Sequence, residues 1–200
     1  MNSDATAVRS SEVAALLLSG GTSQRMGRDK TQLPVGGTTL ARRTGQLLAR
    51  VATTALEVGP GTSGLTAVSE DLPGRGPLSA IAAGRVALRE SGHVGSALVV
   101  ACDLPLVSEK WLRYLLHYDS GSSVVPIVDG RAQPLCAKWG ADDLDAAVQL
   151  VREGERSLRH LLNAPGVILL EESQWSRVVT RENFDDVDTI EDARRLGLLP

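Results

Sequence analysis

The residues best suited to chemistry fall in one glycine-rich stretch, Leu18-Ser19-Gly20-Gly21-Thr22-Ser23-Gln24-Arg25-Met26-Gly27-Arg28-Asp29-Lys30. Gly20 and Gly21 let backbone approach a ligand closely, and the amides beyond them can face an anion. Arg25 offers a planar fork and Lys30 a point charge, both suited to triphosphate oxygens. Neither common phosphate motif fits: Arg28-Asp29 separates Gly27 from Lys30, which breaks GxxxxGK[ST], and GxGxxG is absent. On residue types alone, a phosphate cradle and a plain surface turn stand as equal alternatives.

A second candidate is Asp103, which ends an apolar run and precedes Leu104-Pro105. A carboxylate held there suits a hard cation such as Mg²⁺, which takes one or two carboxylates plus phosphate oxygens. The alternative is a helix cap, but Ser108 fills that role better. Near the end, Asp185-Asp186-Val187-Asp188-Thr189 gathers three carboxylates before a helix. Asp186 could join Asp103 at a metal while Asp188 or Thr189 caps the helix, with Glu191 and Asp192 in its first turn. His93, His117 and His160 share no metal-ligand spacing and read as surface or helix-end residues. Ser157-Leu158-Arg159 could reach a phosphate or simply start a helix, and Glu171-Glu172 and Arg194-Arg195 read as solvated faces.

These residues need strands to aim them. Residues 13–18 form an apolar run cut off by Gly20-Gly21, as expected of a strand buried on both faces. Residues 96–102 repeat that signature and stop at Asp103. An element is expected at 31–35 before a Gly36-Gly37 turn, short strands at 55–58, 65–68 and 167–170, and a short extended stretch around Val187. Helices are expected at 39–51 (capped by Thr38 or Thr39), 78–90, 108–117, 142–153, 156–162 and 190–196. Residues 123–128 and 132–139 flank Asp129-Gly130, a favoured hairpin turn, and Pro134 demotes the second arm to an edge or bulged strand. The alternation predicts an α/β fold: a three-layer α/β/α sandwich on a mostly parallel mixed sheet, Rossmann-like. Segments 19–30, 71–77 and 103–105 would then leave strands at the carboxyl edge, where open sheets bind ligands.

The 200 residues fit one domain, expected over 13–200, with 1–12 as a flexible tail. With 42% hydrophobic and 22% charged residues the chain reads as soluble and globular, and with aromatics at only 3% the core must rest on Ala, Val and Leu. A formal charge of −3 gives no reason to expect nucleic acid or an anionic membrane as partner. No apolar stretch approaches the roughly 20 residues needed to span a bilayer. The first residues lack the order of a signal peptide, so a cytoplasmic protein is expected. Cys102 and Cys136 make neither a disulfide framework nor a CxxC site and read as buried thiols.

Taken together, the segments resemble the molybdenum cofactor guanylyltransferase family of nucleotidyltransferases, from Ala14 to about Leu196. The stretch from Leu18 to Lys30 is the most specific part. Gly76-Pro77-Leu78, Asp103-Leu104-Pro105, Gln133-Pro134 and Asp186-Val187-Asp188-Thr189-x-Glu191-Asp192 follow in the family's order. The resemblance implies Mg²⁺-dependent transfer of GMP from GTP to a molybdopterin-type cofactor, giving the guanine dinucleotide and pyrophosphate. Partners would be other cofactor-biosynthesis proteins and acceptor molybdoenzymes. By motif position, Leu18, Ser19, Gly20 and Gly21 would line the nucleotide and Lys30 would hold the phosphates. Asp71 would contact the nucleotide, and Asp103 would bind nucleotide and metal, with Asp186 as a second metal contact.

The chain departs from the family at five places. Ser19 stands where Ala is common, Gln133 where His is frequent, and Asp186 and Asp188 where Asn is common. The family's nucleotide-contacting Asn falls near Gly59 and is not carried over. The rival functions are a cytidylyltransferase acting on the same pterin, a related small-molecule nucleotidyltransferase, and a non-catalytic nucleotide carrier. Gly20-Gly21 with Asp29-Lys30 favours the guanylyl type, because cytidylyl relatives tend to read Ala-Ala-Gly in this loop.

Overall fold

In the computed structural model, which describes residues 13–20, 29–70, 75–119 and 121–199, the apolar run becomes strand β1 (Ala14–Leu18). A 3₁₀ turn (Lys30–Gln32) leads to a small hairpin of β2 (Pro34–Val35) and β3 (Thr38–Thr39). Then come α1 (Leu40–Val51), β4 (Thr54–Val58), β5 (Thr66–Val68), α2 (Pro77–Glu90) and β6 (Ala97–Ala101). Next are α3 (Glu109–Tyr118), β7 (Val124–Val128), β8 (Arg131–Ala132) and β9 (Cys136–Trp139). Helices α4 (Ala141–Arg152) and α5 (Arg159–Leu162), strand β10 (Ile168–Leu170), and helices α6 (Glu172–Trp175) and α7 (Ile190–Arg195) complete the chain.

The main sheet runs β10-β7-β9-β6-β1-β4-β5, with β8 attached to β7. β1 pairs in parallel with β4 and β6, and β5 extends β4 in parallel. β9 runs against both of its neighbours. Successive side chains of a strand point to opposite faces, and β1 splits accordingly. Ala15 and Leu17 join a core with Leu40, Leu48, Trp111 and Leu115, under α1 and α3. Ala14, Leu16 and Leu18 join another with Leu78, Ile81, Leu88 and Leu144, under α2 and α4. This is the expected three-layer α/β sandwich. On the α2 face the helix lies so close that a Cβ on Gly84 would come within 2.6 Å of Leu16.

Local expectations fare unevenly. Asp129 and Gly130 both take positive φ, 49° and 71°, and turn β7 into β8 as a tight hairpin. The second arm does not run on to Trp139, however. It breaks at Pro134, which has no N–H to donate, and restarts as β9, which lies between β6 and β7 rather than at an edge. The helix expected over 156–162 shortens to α5, and residues 31–35 divide between the 3₁₀ turn and β2. His93 is buried, its Nε2 2.9 Å from the Ser96 carbonyl. Glu171 is not merely a solvated face, since it caps α6 in a reciprocal capping box with Gln174. The three tryptophans, few as they are, are all fully buried.

Candidate active site at the carboxyl edge of the sheet

The parallel strands β1, β4 and β6 end together, and the ends of β1 and β6 open onto one cleft of about 330 Å³. Leu18, Ser19 and Gly20 leave β1 into it, Cys102 and Asp103 leave β6, and Gly76-Pro77 opens α2 beside them. The backbone is drawn tight here. Ser19 and Gly20 both donate to the Val58 carbonyl, at 3.1 and 3.2 Å, and Cys102 N–H donates to the Leu18 carbonyl at 2.9 Å. A Cβ on Gly59, whose φ is 153°, would stand 2.2 Å from Ser19 Oγ and 2.8 Å from the Gly20 nitrogen. No side chain fits there without a shift of that backbone.

Lys30 reaches the cleft because Asp29 caps the 3₁₀ turn. The Asp29 carboxylate accepts from Thr31 N–H at 2.9 Å and from Thr31 Oγ1 at 2.7 Å. Lys30 Nζ then lies 2.8 Å from Asp103 Oδ2 and 3.1 Å from Asp188 Oδ1. Burial pulls the Lys30 pKa down, but the charges and hydrogen bonds of Asp103 and Asp188 outweigh it and hold the ammonium above its ordinary value.

The C-terminal segment reaches the same place through Val187, which is fully buried and donates its N–H to the Asp103 carbonyl at 2.9 Å. Thr189, not Asp188, caps α7, exchanging hydrogen bonds with Asp192 in a capping box. That leaves the Asp188 side chain for Lys30. Asp186 is exposed, and its carboxyl is pushed above the usual range by partial desolvation and then by the charges of Asp188 and Asp103.

The site also contains carboxylates that the sequence reading passed over. Glu57 on β4 is fully buried beneath Ser19. It accepts from Ser19 Oγ at 2.6 Å, from the Gly61 and Thr62 amides at 3.0 Å, from the Ser63 amide at 2.7 Å and from the Ser63 hydroxyl. Burial alone would raise its pKa, but these donors reverse the sign and hold it below the carboxylate norm. The available signal was one acid inside the otherwise apolar strand Ala-Leu-Glu-Val. Glu70, just after β5, also lines the cleft.

Of the expected site residues, the fold brings together Leu18, Ser19, Gly20, Lys30 and Asp103. Gly21, Arg25 and Asp71 lie outside the described residues, as does the tail over 1–12. Both cysteines are buried thiols whose pKa is pushed up to about 12 by desolvation, so they are not ionised nucleophiles. Among the described residues no group of three or more His, Cys, Asp or Glu side chains could by itself hold a metal ion. Asp103 and Asp188 nevertheless enclose a positive charge, the Lys30 ammonium. Such a donor pair fits a cation that takes its remaining oxygens from phosphate.

Residues 15–171 match the MobA-like NTP transferase domain. A probable molybdenum cofactor guanylyltransferase of Mycolicibacterium paratuberculosis is 34% identical over 184 residues, covering 86% of this chain and 93% of the relative. The fold matches the molybdopterin-guanine dinucleotide biosynthesis protein A of Archaeoglobus fulgidus, with a TM-score of 0.74 at 20% identity, covering 91% of this chain and 95% of that one. A Mycobacterium tuberculosis protein solved in complex with manganese superposes with a TM-score of 0.61 at 18% identity, covering 92% and 97%. Fold, cleft and family together define an enzyme of the nucleotidyltransferase class. The chain belongs to the MobA-like NTP transferase family.

Proposed function

We propose that the protein transfers GMP from GTP to a molybdopterin-type molybdenum cofactor, forming the guanine dinucleotide and releasing pyrophosphate. The observation that carries this reading is the Lys30–Asp103 pair at the mouth of a cleft built on converging parallel strands. It is supported by relatives named for guanylyl transfer to that cofactor. The family resemblance adds Gly21, Arg25 and Asp71 to the nucleotide site. Other cofactor-biosynthesis proteins and acceptor molybdoenzymes are the proposed partners, and the cytoplasm the proposed compartment. No helix among the described residues is long and apolar enough to cross a membrane.

In this mechanism the acceptor's own phosphate oxygen attacks the α-phosphorus. A new P–O bond forms, the bond between the α-phosphorus and the bridging oxygen breaks, and its electron pair leaves with pyrophosphate. No side-chain nucleophile is required, so the protein's part is to align two anions and stabilise the developing charge. Lys30, kept protonated by its carboxylate neighbours, holds the phosphates. Ser19 and Gly20, fixed by Val58 and Glu57, shape the floor under the nucleotide. Asp103, with Asp186 or Asp188, is suited to a divalent ion, proposed to be Mg²⁺, which when bound would neutralise charge on the transferred and leaving phosphates.

Purified protein supplied with molybdopterin, Mg²⁺ and one nucleoside triphosphate at a time tests the reading through pyrophosphate release. GTP should support turnover and CTP should not. The reverse result makes the protein a cytidylyltransferase, and binding without turnover makes it a carrier. Lys30→Ala and Asp103→Ala should each lower turnover by about 10²–10³, the range for lost preorganised charge stabilisation. Less than a tenfold loss in both would remove them from the site.

A further inference from the structure

Asp188 reaches Lys30 from a short strap, residues 185–189, whose two ends are tied together by charge. Asp185 opens the strap, and its side chain is only 12% exposed. Its Oδ1 accepts from Arg181 Nη1 at 3.3 Å and its Oδ2 from Arg195 Nη1 at 3.0 Å. Arg181 belongs to the 3₁₀ turn before the strap (Arg181–Phe184), and Arg195 to the last turn of α7 beyond it. The brace continues on both sides. Arg181 Nε also donates at 2.8 Å to Asp129 in the β7–β8 turn. Arg195 Nη2 donates at 3.4 Å to Asp192, whose other oxygen accepts from the Asp188 and Thr189 amides at 3.3 and 3.0 Å. Charges of alternating sign therefore run from the hairpin turn, through Asp185, to the backbone of Asp188.

Ion pairs whose arginines are this exposed add little to folding stability. The strap keeps its place in the fold by burial instead, through Val187 and its bond to the Asp103 carbonyl. Burial of Val187 does not fix where the next side chain points. The Asp188 side chain is 45% exposed, so nothing packed around it holds its carboxylate 3.1 Å from Lys30. Its amide is held by Asp192, Asp192 by Arg195, and Arg195 by Asp185 across the strap. Neutralising Asp185 loosens that sequence at its start, and the Asp188 carboxylate then leaves the ammonium. Small movements are enough, since a 1 Å misplacement caused by a distant substitution can cost on the order of 10²-fold in rate.

We propose that Asp185 is a positioning residue for nucleotidyl transfer, holding Asp188 against Lys30 through Arg195 and Asp192. Asp185 is not in the lining of the cleft and acts only through these residues. The inference rests on the reading of Lys30 and Asp103 as the phosphate site.

A double-mutant cycle on the full chain tests it, with wild type, Asp185→Asn, Asp188→Ala and the two combined. Asp185→Asn should lower kcat for pyrophosphate release from GTP by about tenfold, with a melting temperature close to that of wild type. In the Asp188→Ala background the same substitution should change kcat by less than about twofold, because the residue it acts through is gone. Amide hydrogen exchange supplies a readout independent of turnover. Val187 should lose protection by about tenfold in Asp185→Asn, while the amides of β1 and β6 keep theirs. An equal loss of kcat in both backgrounds overturns the proposal. So does a loss that follows a lowered melting temperature, and so does unchanged exchange at Val187. Wild type that releases no pyrophosphate from GTP overturns the guanylyl reading instead, and Val187 exchange then decides by itself whether Asp185 holds the strap. Arg195→Gln breaks the same pair from its other side and decides the matter if Asp185→Asn is unstable.

Discussion

Glu57 is fully buried yet held in its charged form, because hydroxyls and amides from Ser19 and residues 61–63 converge on its two oxygens. Through Ser19 the carboxylate sets the floor of the cleft, which makes it a positioning residue rather than a catalytic one. A folded-state pKa below the ordinary value of 4.5 means that it stabilises the fold above that pH. The contribution is lost as pH falls through the folded value. Glu57→Gln keeps the shape but turns an NH₂ toward groups that donate. We expect it to cost about 1–3 kcal/mol at pH 7 and to raise the nucleotide KM more than it lowers kcat. Urea melts at neutral and acid pH check the sign, since the gap between wild type and variant should narrow as the wild-type carboxylate protonates. An equal gap at both pH values would contradict it.

At the scale of elements, the apolar runs identified β1 and β6, and the glycines and Asp103 that follow them marked where those strands end. β9 was harder to read, because its place depends on partners distant in sequence. Pro134 left an edge or a bulged strand open, and the arm is interrupted there while the strand that restarts at Cys136 is flanked on both sides. One consequence is Lys138, almost wholly buried on β9, with an Nζ that has no hydrogen-bond partner. Desolvation holds its pKa below the ordinary 10.5, with only partial relief from the charge of Asp119. For a base with a lowered folded-state pKa, protonation opposes folding, so this penalty is present at neutral pH and fades as pH rises toward 10.5. Lys138→Met should therefore stabilise the protein by about 1–3 kcal/mol at pH 7. Thermal melts should show a smaller advantage at pH 10, and a destabilised variant would mean that the amine has a structural role.

Across the whole molecule, the site depends on a segment far from it in sequence. Phe184 packs edge-on against Trp111 and Trp175, with ring centroids 5.1 and 4.9 Å away. Three residues later Val187 bonds to Asp103, and Asp188 meets Lys30. The aromatic cluster thus anchors the strap that completes the charged mouth of the cleft. Phe184→Ala should cost about 3–5 kcal/mol by leaving a cavity. It should also lower turnover beyond what the unfolded fraction explains, because Asp188 loses its support. Comparing the denaturation midpoint with kcat well below the melting temperature separates the two effects. Phe184→Leu, which refills most of the volume, should recover much of both.

The local pattern of the chain by itself determined the central strands β1 and β6, the main helices, the three-layer architecture and the carboxyl edge as the place for a site. These follow from short-range rules: apolar runs bury, glycine ends them, and a capping residue starts a helix. It also marked Lys30 and Asp103 as a cation and an anion with phosphate chemistry. Only the tertiary structure decided that these two residues, 73 apart in sequence, meet at 2.8 Å. It placed Asp188 rather than Asp186 on the lysine and put Glu57 beneath Ser19. The physical reason is the same in each case. A charged side chain takes its role from the burial and the partners that surround it, and those come from strands paired across the sheet.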